Sequence, residues 1–107
     1  MTSAQTSDLT EGLPPAAVAQ FQILRQRFVA GLPARWQEIE LADTHLALQS
    51  ALHRLAGSAG SYGFESLGHL ARCAELLAQT DASTESSELI QALQRLGKEI
   101  ETLQPAV

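Results

Sequence analysis

Residues 52–64, LHRLAGSAGSYGF, begin as an amphipathic helix and then fill with glycine. Gly57, Gly60 and Gly63 recur at every third position, in a stretch that also holds His53. An interior glycine costs a helix about 1 kcal/mol relative to alanine. On a wheel advancing about 100° per residue, Leu48, Leu52, Leu55 and Ala59 cluster within about 60° and form a stripe to bury. His53 falls roughly 130° from the middle of that stripe and is predicted to project into solvent. Gly57 lies one turn further along the same face, and Gly60 lies there too. Ala56 falls on the flank between that face and the core. These glycines strip side chains from the surface beside an exposed imidazole, so a second molecule can come close to the ring. Phoshoryl transfer between two proteins calls for such a surface, because attacking and leaving atoms must align with little between them.

Working outward, Asp43 is the expected N-cap of this helix, and Gly63 its stop through the left-handed backbone that glycine accepts. Upstream, residues 1–12 are small and polar without periodicity and read as a flexible tail, leaving 13–107 as the domain. Pro14 and Pro15 suit a helix entry, after which Ala17, Phe21, Leu24 and Phe28 form one stripe. Gly31 and Pro33 interrupt it, and a second segment runs from about 33 to 42 with Leu32, Trp36 and Ile39 on one side. Downstream of Gly63 a helix starts at once, with Phe64, Leu67, Leu70, Ala71, Ala74 and Leu77 inward. TDASTESS is a polar loop. The last helix carries Leu89, Leu93, Leu96, Ile100 and Leu103 and ends at Pro105. No strand pattern appears. Short loops between amphipathic segments imply antiparallel neighbours. The predicted fold class is therefore all-α: an antiparallel four-helix bundle with an additional N-terminal helix packed across it.

A chain of 107 residues suits one core, and its 45% hydrophobic fraction is that of a folded domain. A net charge of −5 argues against a nucleic-acid partner. No apolar run is long enough for a membrane span, and the N-terminus lacks the pattern of a secretion signal. The lone Cys73 precludes an internal disulfide and fits a reducing cytoplasm. Cys73 reads as a core-edge residue and Trp36 as a cover for the core. His45 and His69 read as ordinary surface residues. His45 and His53 are too far apart on one helix for the usual chelate spacing, so no metal site is expected. An exposed imidazole is mostly uncharged and nucleophilic at neutral pH. With no Gly-rich ATP loop and no acidic cluster for magnesium, the catalytic machinery must come from a partner.

The motif resembles the histidine-containing phosphotransfer (HPt) domains of bacterial two-component phosphorelays. Their signature reads His-x-Leu-Lys-Gly-Ser-Ser, then Gly ten residues after the histidine, then a second helix. His53, Leu55, Gly57, Ser58 and Gly63 match, Ala59 replaces the second serine, and Asp43 matches a common family position. The segment LARCAELLAQ resembles the family's second bundle helix. The likeness covers roughly residues 16–103, and the His53–Gly63 motif is its specific part. It implies that His53 takes a phosphoryl group from a receiver-domain aspartate and passes it to another receiver. The partners implied are response-regulator receiver domains and a hybrid sensor kinase. No cofactor is expected on this chain, with Mg2+ supplied by the receiver. One position departs: Ala56 stands where the family carries a phosphate-neutralising lysine. Arg54 and Arg72 are the candidates to compensate, although Arg54 points about 100° away from His53.

The docking surface of a monomer should centre on His53 and Gly57. Gln49, Ser50, Arg54, Ser58, Gly60 and Ser61 surround them, and Leu46 offers an exposed apolar contact on the same side. Gly60, nearer the core flank, is expected to serve helix packing in part. The alternative reading is an HPt-like interaction module that docks a receiver without carrying phosphate, with Ala56 as its mark.

Overall fold

Every amphipathic segment read from the sequence is helical in the computed structural model, which describes residues 12–80 and 87–105. These residues form α1 (Pro15–Ala30), α2 (Leu32–Glu40), α3 (His45–Ser61), α4 (Glu65–Thr80) and α5 (Ser87–Leu103). No strand occurs among them. The expected tail lies outside the described residues apart from Gly12, as does the TDASTESS loop apart from its two ends.

Pro15 and Pro33 sit in the first turns of α1 and α2, where a missing N–H removes no helical hydrogen bond. The second helix is shorter than expected and ends at Glu40. The N-cap of α3 is Thr44 rather than Asp43: the Thr44 hydroxyl accepts the backbone N–H of Ala47 at 3.0 Å. Both residues are good caps, and the backbone register selects the one adjoining the first turn. At the other end, the Gly63 N–H reaches the Gly60 carbonyl and the Phe64 N–H reaches that of Ala59. Gly63 has φ +82°, so this is the glycine stop in its Schellman form.

The stripe Leu48, Leu52, Leu55 and Ala59 is buried, as are Leu67, Ala71 and Ala74 of α4 and Leu89, Leu96 and Ile100 of α5. Leu32 and Ile39 bring α2 into the same core. Two contacts and one packed glycine set the pairing of α3 with α4. Gln49 Nε2 donates to the Ala78 carbonyl, and His53 meets Glu75. Gly68 lies against Ala56, Ala59 and Gly60. Partners descend along α4 as they ascend along α3, so the two helices are antiparallel. Small residues line the seam, and that allows the close approach.

Two sequence expectations change here. Ala56 is core, not flank, at 3% exposure, because α4 crosses over it. At the α3–α4 seam the close-packed glycine is Gly68 rather than Gly60; a Cβ on Gly60 would meet nothing within 4 Å.

Aromatic side chains join α1 to the α3–α4 turn. The Phe28 ring lies 5.2 Å from Tyr62 and 5.5 Å from Phe64. Arg25 donates to the Tyr62 carbonyl at 2.8 Å, and its guanidinium sits over the Phe64 ring. Gln104, past the end of α5, donates to the Val29 carbonyl. The turn that closes α3 is thereby held from outside, and α3 presents its exposed face on a supported helix.

Candidate functional site

His53 occupies the middle of α3, and its side chain is 77% exposed. Its Nδ1 lies 2.9 Å from Oε2 of Glu75, whose side chain is only 12% exposed. An ionised carboxylate has no proton to give, so with Glu75 ionised Nδ1 must carry the hydrogen. In the neutral ring, Nε2 is then left unprotonated, with its lone pair available for attack. The carboxylate therefore fixes two properties of the ring at once, its tautomer and its orientation. Gln79 Nε2 donates to the same Glu75 oxygen at 3.4 Å and helps to hold it.

The surroundings of the ring are sparse. Gly57 is exposed, and a Cβ placed on it would meet nothing within 4 Å. No packing constraint demands glycine there, so the bare backbone is a feature of the surface. The Ser61 hydroxyl donates to the Gly57 carbonyl at 3.1 Å and lies back along the helix.

Of the expected docking residues, Leu46, Gln49, Ser50 and Arg54 line one shallow depression with His53 and Glu75. Leu46 is 71% exposed. Arg54, on the rim of that depression, is engaged with Glu38 of α2 in an ion pair. Gln49 is half-buried through its bond to Ala78. Gly60 lies in a neighbouring cleft with Ala56 and Arg72, and Ser58 is half-buried and lines neither depression.

Glu75 escaped the sequence reading, which took α4 as a stripe of small and apolar residues. A trace of it was present. Glu75 falls four residues after Ala71 and three before Ala78, both buried, so it is a carboxylate on the inward stripe. An acid in that position needs a partner. The partner is 22 residues away in sequence, beyond any local pattern.

A cleft of about 620 Å³ is lined by residues of α2, α3 and α5 including Trp36, Leu48 and Leu93, and does not include His53. A nucleophile that attacks an atom on another protein needs exposure rather than a cavity. His45 is half-buried in that cleft rather than simply on the surface. His69 is exposed, with its Nε2 3.6 Å from the Cys73 sulfur. Among the described residues, no group of three or more His, Cys, Asp or Glu could hold a metal ion. Among them, too, no helix is long and apolar enough to cross a membrane.

A helical domain carrying an exposed histidine braced by a buried carboxylate is what the residues build. The Hpt domain family matches residues 23–106 of the chain. The chain belongs to that family, the histidine phosphotransfer modules of phosphorelays. Neither the curated proteins nor the solved structures contain a significant match.

Proposed function

We propose that this chain is a phosphorelay intermediate, with His53 accepting a phosphoryl group from the aspartate of one receiver domain and passing it to another. The observation that carries this reading is the exposed His53 ring with Nδ1 bonded to the Glu75 carboxylate. In the forward step the Nε2 lone pair attacks phosphorus in line. A nitrogen–phosphorus bond forms, the acyl phosphate oxygen–phosphorus bond breaks, and the receiver's carboxylate leaves with its electron pair. The ring, still protonated on Nδ1, gains imidazolium character, which Glu75 stabilises from 2.9 Å. In the return step a carboxylate of the second receiver attacks phosphorus, and the neutral ring leaves. No proton need enter or depart, because Nδ1–H stays on Glu75 throughout.

The bare backbone at Gly57 and Gly60 supports close approach of the receiver. Leu46, Gln49, Ser50, Arg54, Ser58 and Ser61 complete the proposed contact zone. Mg2+ is assigned to the receiver, and a hybrid sensor kinase is the proposed source of phosphate. The same reading makes the chain a cytoplasmic monomer, with α2 to α5 as an antiparallel four-helix bundle and α1 across one end. The pairing of α3 with α4 and the contacts of α5 with α4 and α2 support that arrangement.

The test is incubation with phosphorylated receiver domains from the same genome, scoring acid-labile label on His53. Label in the native chain and none in His53→Gln is the expected result. Receiver binding without label would replace relay by a docking module.

A further inference from the structure

We propose that Arg72, on α4, supplies the positive charge that faces a phosphoryl group on Nε2 of His53. The inference rests on the phosphoacceptor reading and names the residue that completes that site. A phosphoryl group brings close to two negative charges. Glu75 places a carboxylate against the other ring nitrogen, so an imidazole between two anions needs a nearby cation to offset them.

The sequence neighbour Arg54 is already engaged, its guanidinium paired with Glu38 of α2. Arg25 is bonded to the Tyr62 carbonyl and lies over Phe64, and Arg35 lies over the Phe28 ring. Arg27 is on α1, and Arg95 and Lys98 are on α5, which packs against α4 and α2 rather than along α3. Arg72 belongs to α4, the helix that lies along α3. It is exposed and has no hydrogen bond or ion pair among the described residues.

The interhelix register gives the position. Glu75 meets His53, and Gly68 lies against Ala56 and Gly60. Arg72 falls between these two contacts on α4, one turn or about 4.5 Å along the axis from Glu75. It lines one cleft with Ala56 and Gly60. Ala56 is one turn beyond His53, and its methyl group is buried, so α3 sends no long side chain into that space. The gap left by α3 is thus open to a long side chain from α4. A guanidinium suits the task, since its planar N–H fork matches two phosphoryl oxygens. Glu65 and His69 share the cleft, but no ion pair ties Glu65 to Arg72.

The whole chain is phosphorylated with the small donor phosphoramidate, and the phosphorus NMR signal of His53 is titrated with pH. In Arg72→Gln the phosphoryl titration midpoint should rise by about half a pH unit or more, because a cation within contact range favours the dianion. Arg72→Lys should recover part of the shift, and Arg54→Gln should move the midpoint less than Arg72→Gln does. Uptake from a receiver should fall about tenfold in Arg72→Gln, the size of one charge-assisted hydrogen bond. Circular dichroism checks that this exposed substitution keeps the helices. Identical midpoints in the native chain and Arg72→Gln overturn the proposal while leaving His53 as phosphoacceptor. A shift in Arg54→Gln alone transfers the role to that residue and overturns it equally. No phosphohistidine on His53 from either phosphoramidate or a phosphorylated receiver removes the underlying reading together with the arginine.

Discussion

The carboxylate of Glu75 holds the imidazole of His53 across the α3–α4 seam at 2.9 Å, one group nearly buried and the other largely in solvent. A histidine free on a helix surface would sample several rotamers and both tautomers. Here, one nitrogen is occupied and the other is presented.

Replacing Glu75 by Gln should slow phosphoryl uptake from a receiver about 10- to 100-fold, the range of a hydrogen bond to a charged group. The amide keeps the shape but removes the charge opposite the developing imidazolium. Rapid-quench kinetics with a phosphorylated receiver measure this, and a thermal melt should show the fold retained. An unaltered rate would mean that Glu75 serves packing alone.

Gly57 offers opposite predictions for stability and transfer. Gly57→Ala should raise stability by about 0.5–1 kcal/mol through helix propensity, since its Cβ enters open space. Gly57→Tyr should also fold, yet cut transfer from a receiver by about two orders of magnitude through misalignment of the reacting atoms. Labelling by phosphoramidate, which is small, should persist in both. Undiminished receiver transfer in the tyrosine variant would remove the steric account of this glycine.

Leu46 is an exposed leucine on the same depression as His53. Leu46→Ser should weaken receiver docking about tenfold, as expected for an apolar anchor near an interface centre, with no loss of helicity. Titration calorimetry against the receiver provides the measurement. Equal affinity in the two proteins would place the apolar contact elsewhere.

Gly97 tests the core far from the phosphoacceptor. A Cβ there would stand 2.7 Å from Trp36 Cζ2, so α5 accepts the indole only because this position is bare. Gly97→Ala should destabilise the domain by about 1–3 kcal/mol despite its better helix propensity. Denaturant melts followed by the fluorescence of Trp36, the sole tryptophan, would record it. Phosphoramidate labelling of His53 in the folded variant should be unchanged.

Much of the molecule was legible from residue order. The leucine stripe of α3, the exposure of His53 and the helix stop at Gly63 follow from a 3.6-residue period and the backbone freedom of glycine. The cap was misassigned by one residue, because Asp43 and Thr44 have similar chemistry and only the chain's entry angle distinguishes them. Ala56, read as flank, is core, and the share of packing expected of Gly60 falls to Gly68, for a different reason. The wheel describes one helix alone, whereas burial depends on where α4 crosses it, and that crossing covers Ala56 and leaves Gly60 open.

Local order was enough to say that these segments are helices and which way His53 faces, because periodicity is a property of each segment. It could not say that Glu75 meets His53, or that Arg72 comes beside Ala56. Those neighbours arise from the register of α4 on α3, which is set by the fit of Gly68 against Ala56 and Gly60 together with the rest of the core. Register is a collective result of packing, and no short stretch of the chain contains it.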